Sequence, residues 1–146
     1  MESDLDNPIT ARNGSERATE SAQDYLACVS ELVEEKGYAR VADVADTLSV
    51  AEPSACQMIK RLAKKGYLKL EKYRGFTLTE SGQGVAREIQ SRRRVLTAFL
   101  QSLGLPQKVI IRDVHGLEHH LSKETFDQLK RFVKARGDRN LVPAFK

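Results

Sequence analysis

The chain has 146 residues, of which 40% are hydrophobic and 30% charged, enough for one domain or two small ones with a sizeable core. No apolar run approaches the roughly 18 residues that a membrane helix needs, and residues 1–20 lack the apolar stretch of a signal peptide, so we expect a soluble, cytoplasmic protein. Cys28 and Cys56 form no CxxC pair, which argues against a disulfide framework and a zinc knuckle.

Positive charge is concentrated in one segment of the chain. The net charge is +4, but residues 52–94 contain eleven basic and four acidic residues, whereas residues 1–24 contain two basic and six acidic ones. Such a concentration of bases is typical of a surface that contacts a phosphate backbone. On charge alone, a solvated lysine-rich face is an alternative of equal weight.

The N-terminal part predicts a tail followed by a helix. Residues 1–20 are polar, lack periodicity and contain Asn-Pro and Asn-Gly, which predicts a disordered tail. Ser21, with Asp24 three residues later, matches a capping box and is the predicted N-cap of the first helix. Apolar residues then recur at helical spacing as far as Gly37, the predicted C-cap residue.

The next segment predicts two short helices joined by a tight turn. The first covers residues 41–48, and the second has Pro53 in its first turn, where the missing N–H has no cost. The predicted buried face of the second helix comprises Cys56, Ile59, Leu62 and Ala63. Its predicted outward face comprises Ser54, Gln57, Lys60, Arg61 and Lys64. This layout is that of a helix-turn-helix.

Residues 67–79 alternate with period two around a turn at Arg74-Gly75, which predicts a hairpin whose tip carries Lys72 and Arg74. Together with the preceding helices it predicts a winged helix-turn-helix DNA-binding domain over residues 21–80. In that domain Ser54 and Gln57 would read base edges, Lys60, Arg61 and Lys64 would lie near phosphates, and the wing bases would hold the flanking backbone or minor groove. A winged helix that binds protein is the alternative.

Residues 81–140 predict a linker helix and an all-helical domain for dimerisation and metal binding, which makes the fold class mainly α. A long amphipathic helix runs from Glu80 to Leu103, and two more run over about 107–120 and from Ser122 onward. The last of these is expected to bury Phe126, Leu129, Phe132 and Val133. The helices carry more apolar surface than a domain of this size covers, which predicts a homodimer matched to a two-fold operator.

The three histidines lie within six residues. On a helix, His115, Glu118 and His119 share one face, while His120 points elsewhere. Imidazoles and a carboxylate that converge suit a first-row divalent metal, with a polar surface patch as the alternative.

Four segments of the chain resemble one known family. They are DYL at 24–26, EEKGYARVADVA at 34–45, KYRGFTLTESG at 72–82 and DVHGLEHHLS at 113–122. These segments are similar to the diphtheria-toxin-repressor family, above all to its short manganese-transport-regulator branch, and the similarity covers roughly residues 22–136. The resemblance implies a homodimeric, metal-activated repressor that binds DNA.

The resemblance also implies where metal ligands would lie. The ligand positions of the branch fall on Asp24, Ala27, Arg93, His115, Glu118 and His119. Asp24, Glu118 and His119 match the family pattern, whereas His115 replaces a bridging glutamate, Ala27 a carboxylate and Arg93 a histidine. The expected site is therefore reduced. Either Asp24, His115, Glu118 and His119 hold one ion, or Arg93 pairs with an acid and stands in for the metal. Arg93 also belongs to a run of three arginines, for which a solvated basic face or a phosphate contact is the alternative interpretation.

These observations predict a transcriptional repressor of metal-ion homeostasis genes. Manganese is the first candidate cofactor, with Fe(II), Co, Zn or no metal as alternatives. The expected partners are a double-stranded DNA operator and a second copy of the chain, without a membrane or a small organic substrate. A metal-independent regulator of the same family and a protein-interaction module are the competing functions. An enzyme is disfavoured because the sequence has no Gly-rich phosphate loop and no Ser/His/Asp arrangement.

Overall fold

The computed structural model describes residues 18–137, which form six helices and two strands. In chain order they are α1 (Glu20–Lys36), α2 (Val41–Leu48), α3 (Glu52–Lys64), β1 (Leu68–Glu71), β2 (Gly75–Leu78), α4 (Glu80–Ser102), α5 (Gln107–Leu117) and α6 (Lys123–Gly137). The described residues divide into two compact units at a point within α4, a winged unit (Ala18–Gln90) and a helical unit (91–137). The predicted fold class, mainly α with a winged helix-turn-helix and a helical second part, is confirmed.

Helix α1 begins earlier than predicted. The Thr19 hydroxyl accepts a hydrogen bond from the Ala22 N–H at 3.2 Å, so Thr19 is the N-cap and the prediction of Ser21 is wrong. At the other end Gly37 has a φ of 86°, and its N–H donates to the Val33 carbonyl at 2.7 Å, which confirms it as the C-cap. Of the predicted tail, residues 1–17 lie outside the described residues, and Glu20 already belongs to α1.

The core of the winged unit contains side chains from its helices and from both strands. Its larger buried side chains are those of Tyr25, Leu26, Val29, Leu32, Val44, Ile59, Leu62, Leu68 and Phe76. On α3 the buried face consists of Ala55, Ile59 and Leu62. The predicted members Cys56 and Ala63 are only half-buried, because the buried stripe of α3 is rotated toward Ala55.

The two strands form an antiparallel hairpin in which Leu68 lies opposite Leu78 and Glu71 opposite Gly75. Gly75 therefore belongs to β2, and the turn consists of residues 72–74 instead of the predicted Arg74-Gly75. Ala39 and Phe76 exchange two backbone hydrogen bonds of 2.9 Å, which attach the segment before α2 to the wing.

In the helical unit the buried core consists of Leu96, Leu100, Ile110 and Val114. Helix α6 buries none of its side chains, so the prediction that Phe126, Leu129, Phe132 and Val133 are buried is wrong for the single chain. Phe126, Leu129 and Val133 are half-buried, Leu129 against the core of this unit, whereas Phe132 is exposed. Nor is any helix in residues 18–137 long and apolar enough to cross a membrane.

Cys28 gives the winged unit a specific response to high pH. Burial, with a smaller contribution from the charge of Glu31, raises the pKa of the Cys28 thiol from 9.0 to about 11. The native state thus keeps this proton to a higher pH than the unfolded state, so the stabilisation is complete below pH 9 and is lost as the pH rises toward about 11. We expect the free energy of unfolding to fall across this range and to fall less steeply in Cys28→Ala. Urea unfolding at a series of pH values measures both slopes, and equal slopes would contradict the assignment.

Candidate nucleic-acid interface and metal centre

The polar face of α3 is exposed to solvent. All five side chains predicted to point outward are exposed, namely Ser54, Gln57, Lys60, Arg61 and Lys64. The short polar residues lie toward the N-terminal end of the helix and the three bases toward its C-terminal end. A helix with this distribution can bring its N-terminal half to base edges while its bases contact phosphates.

The wing tip consists of Lys72, Tyr73 and Arg74, and all three are exposed. Tyr73 is 91% exposed and has a φ of 68°, and the Lys72 ammonium lies 5.4 Å from the centre of its ring. Arg40 Nε donates to the Arg74 carbonyl at 3.4 Å, which helps to hold the tip in place. The two wing bases were predicted from the sequence. The parts that Tyr73 and Arg40 play in the wing tip were not predicted, although a tyrosine between two bases in a turn could have indicated the first.

The histidine cluster lies at the end of α5 and in the turn that follows. The prediction that the helix extends to His120 is wrong, because α5 ends at Leu117 and residues 118–120 form a turn. The structure nevertheless brings His115 and His119 together, with ring centroids 5.9 Å apart and planes at 81°. His119 Nε2 also lies 3.5 Å from Glu118 Oε1. His115 is exposed, whereas Glu118 and His119 are buried.

Arg93 forms an ion pair with Glu118. Its Nε donates to Glu118 Oε2 at 2.9 Å, and its Nη2 donates to Glu118 Oε1 at 3.1 Å. The side chain of Glu118 is fully buried, whereas that of Arg93 is 37% exposed. A guanidinium is permanently charged and matches a carboxylate in this two-pronged geometry, so Arg93 offsets the charge of the buried acid.

Arg92 holds the backbone of the same turn. Although it is a charged residue it is only 4% exposed, and its Nη1 donates to the Leu121 carbonyl at 2.7 Å and to the Glu118 carbonyl at 3.4 Å. Its guanidinium also lies 5.7 Å from the centre of the Phe126 ring, within the range of a cation–π interaction. Two adjacent arginines of α4 therefore hold the α5–α6 turn. The structural role of Arg92 was not predicted.

The remaining predicted ligand lies in the winged unit. Asp24 is a half-exposed residue of α1. Ala27, which falls on another ligand position of the resembled family, is buried and offers no donor atom. Within the helical unit, the donors available to a metal are thus the imidazoles of His115 and His119, with Glu118 engaged by Arg93.

A winged helix with a basic outward face, followed by a helical unit with a histidine-rich turn, defines a DNA-binding regulator of the metal-responsive class. Comparison with known families places the chain within that class. Residues 17–76 match the family described as "Iron dependent repressor, N-terminal DNA binding domain", and residues 79–137 match "Iron dependent repressor, metal binding and dimerisation domain". The chain belongs to the iron-dependent-repressor family, which confirms the resemblance found in the sequence.

Individual relatives point the same way. The chain is 42% identical over 116 residues to the HTH-type transcriptional regulator MntR of Geobacillus kaustophilus, a match that covers 80% of this chain and 82% of that protein. Among solved structures, the manganese regulator SloR matches with a TM-score of 0.70 at 27% identity, over 77% of this chain and 53% of that one. The metal-dependent transcriptional regulator MtsR matches with a TM-score of 0.74 at 25% identity, over 80% and 55%. The chain thus spans about half the length of these two solved chains, and these relatives are regulators rather than enzymes.

Proposed function

We propose that the chain is a homodimeric, manganese-responsive repressor that binds a two-fold symmetric operator and controls genes of metal-ion homeostasis in the cytoplasm. The exposed polar and basic face of α3 is the observation that carries this proposal. The two family matches support DNA binding, metal binding and dimerisation, and the MntR and SloR matches favour manganese.

In the proposed complex α3 lies in the major groove. Ser54 and Gln57 contact base edges, and Lys60, Arg61 and Lys64 contact phosphates. Lys72 and Arg74 of the wing contact the flanking backbone or the minor groove. The exposure of all seven side chains supports this assignment, since each can reach a ligand without rearrangement of the core.

Dimerisation is supported by apolar side chains that the single chain leaves uncovered. Leu103, Ile111, Leu117 and Phe132 are between 42% and 62% exposed. Phe132 also forms an edge-to-face pair with the half-buried Phe99, with ring centroids 5.8 Å apart. Exposed apolar side chains of this kind gain free energy when a second copy covers them, so we expect the association not to require an ion.

For the metal we propose a single divalent ion bound by His115 and His119 of the helical unit, with Asp24 as the further ligand that the family resemblance implies and Glu118 held beside the histidines by Arg93. Imidazole and carboxylate donors suit Mn and Fe(II) and bind Co and Zn more tightly, so metal availability would decide the occupant. The residues fit such an ion because the two histidine rings already lie together. Glu118 contributes mainly through its contact with His119, because both of its oxygens accept hydrogen bonds from Arg93. When bound, the ion supplies positive charge that holds these donors together.

The proposal is tested on DNA selected from a random double-stranded pool by the dimeric protein in Mn²⁺. We expect the selected sites to be dyad-symmetric and the affinity, measured by mobility shift, to fall at least about tenfold on exhaustive chelation, a typical allosteric coupling. Undiminished affinity after chelation would overturn the metal response and favour a metal-independent regulator. Absence of DNA binding in either condition would favour a protein-interaction module.

A further inference from the structure

The positive charge that neutralises the Glu118 carboxylate comes from a side chain of the protein itself. This carboxylate is fully buried, and each of its oxygens accepts a hydrogen bond from the same guanidinium. A buried carboxylate needs a cation nearby, since an isolated charge loses its hydration on burial and gains nothing in return. In many proteins a divalent ion meets that need, but here Arg93 does.

The Arg93 guanidinium lies beside the histidine cluster, because the carboxylate that it binds also contacts His119. Glu118 Oε1, which accepts from Arg93 Nη2, also lies 3.5 Å from His119 Nε2. The His119 ring in turn packs against that of His115. A dication bound close to Glu118 would therefore meet a permanent positive charge already in contact with that carboxylate.

The position of Glu118 also does not depend on a metal. Arg92 donates to the carbonyl groups of Glu118 and Leu121, so the backbone of the turn is held by the same helix that provides Arg93. Because both the backbone and the carboxylate are already fixed, an ion at Glu118 would add little order to this turn.

We infer that the Arg93 guanidinium takes the place of one divalent ion, so that Arg93 determines how many ions each protomer binds. The inference rests on the proposed function for the identity of the remaining ligands. A neutral imidazole at this position would remove the fixed cation and add a donor. The chain would then bind one ion more than it does with arginine.

The experiment compares the wild-type protein with Arg93→His, Arg93→Lys and Arg94→His. Arg94 is an exposed neighbour on the same helix, so Arg94→His is a matched control for the introduced imidazole. Each purified dimer is dialysed to equilibrium against Mn²⁺ and, separately, Co²⁺. Bound metal is then counted by elemental analysis, and the Co²⁺ absorption spectrum reports the ligand environment.

We expect Arg93→His to bind about one equivalent per protomer more than the wild-type protein, with a new Co²⁺ absorption band. Arg93→Lys, which keeps the charge, and Arg94→His should both match the wild type. The wild-type count tests the proposed metal centre, whereas the difference between variants tests this inference, so either can fail without the other. A folded Arg93→His protein with the wild-type count would overturn it, as would an equal gain in Arg94→His.

A second measurement covers the case in which Arg93→His does not fold. In Arg93→Gln the buried Glu118 carboxylate lacks its permanent cation, so Mn²⁺ should raise the thermal midpoint by more than it does in the wild-type protein. An equal Mn²⁺-dependent shift in both proteins would overturn the inference.

Discussion

Gly82→Ala is expected to destabilise the winged unit by about 3 kcal/mol or more, the upper range for overpacking. A Cβ atom at residue 82 would lie 2.1 Å from the Tyr67 carbonyl oxygen, and both of its nearest contacts in that peptide are backbone atoms. The Gly82 N–H donates to Thr79 Oγ1 at 3.1 Å, and that hydroxyl donates to the Gly66 carbonyl at 2.6 Å. These bonds hold the first turn of α4 against the chain entering β1, so neither segment can move aside without losing them.

Gly84 provides the matched control for this change. It lies two residues further along α4, and an added Cβ would meet nothing within 4 Å. Gly84→Ala should therefore stabilise the protein by about 0.5–1 kcal/mol through the lower conformational entropy of alanine in the unfolded chain. Urea denaturation of the three proteins gives both values. Similar midpoints for the two alanine variants would show that the close approach at Gly82 carries no cost.

The helices and the wing could be predicted because their signals are local. The break between α2 and α3, Pro53 in the first turn of α3 and the alternation of residues 67–79 each lie within a few residues of the element they define. The error at the start of α1 occurred because neighbouring residues offered two equivalent caps. Thr19 and Ser21 can both cap a helix, and only the folded chain shows that the Thr19 hydroxyl reaches the Ala22 N–H.

The candidate sites could be predicted to different degrees, because some of their contacts have a local sequence signal and others do not. The outward face of α3 follows from helical periodicity and was fully anticipated. The pairing of Arg93 with an acid was anticipated as one of two outcomes, through the family resemblance, but the choice of Glu118 depends on a contact 25 residues away in sequence. The contact of Arg92 with Leu121 spans 29 residues and has no local signature, since a run of three arginines looks the same whether it binds phosphates or backbone carbonyls.

The largest expected effect on function follows from removing the three bases of α3 together. The triple variant Lys60→Ala, Arg61→Ala, Lys64→Ala should bind operator DNA at least about a hundredfold more weakly at physiological salt. All three side chains are exposed, so the fold should be retained. If a dimer loses six phosphate contacts, the slope of log affinity against log salt should become shallower by about 5. Fluorescence anisotropy with labelled operator DNA over a range of salt concentrations measures both quantities.

Two comparisons separate backbone contact from a general effect of charge. The triple variant Lys123→Ala, Lys130→Ala, Lys134→Ala removes three exposed charges from α6, the same number as the α3 variant loses. It should leave the salt slope nearly unchanged. Gln57→Ala should also keep the slope, because glutamine is neutral, but should lose about 1–3 kcal/mol of discrimination at a single base pair. The α3 triple variant should instead bind matched and mismatched sites with equally reduced affinity. The opposite result would be a wild-type salt slope in the α3 variant and a shallower slope in the α6 variant. In that case the phosphate-binding surface would lie on the helical unit, and the assignment of α3 as the DNA-binding helix would be wrong.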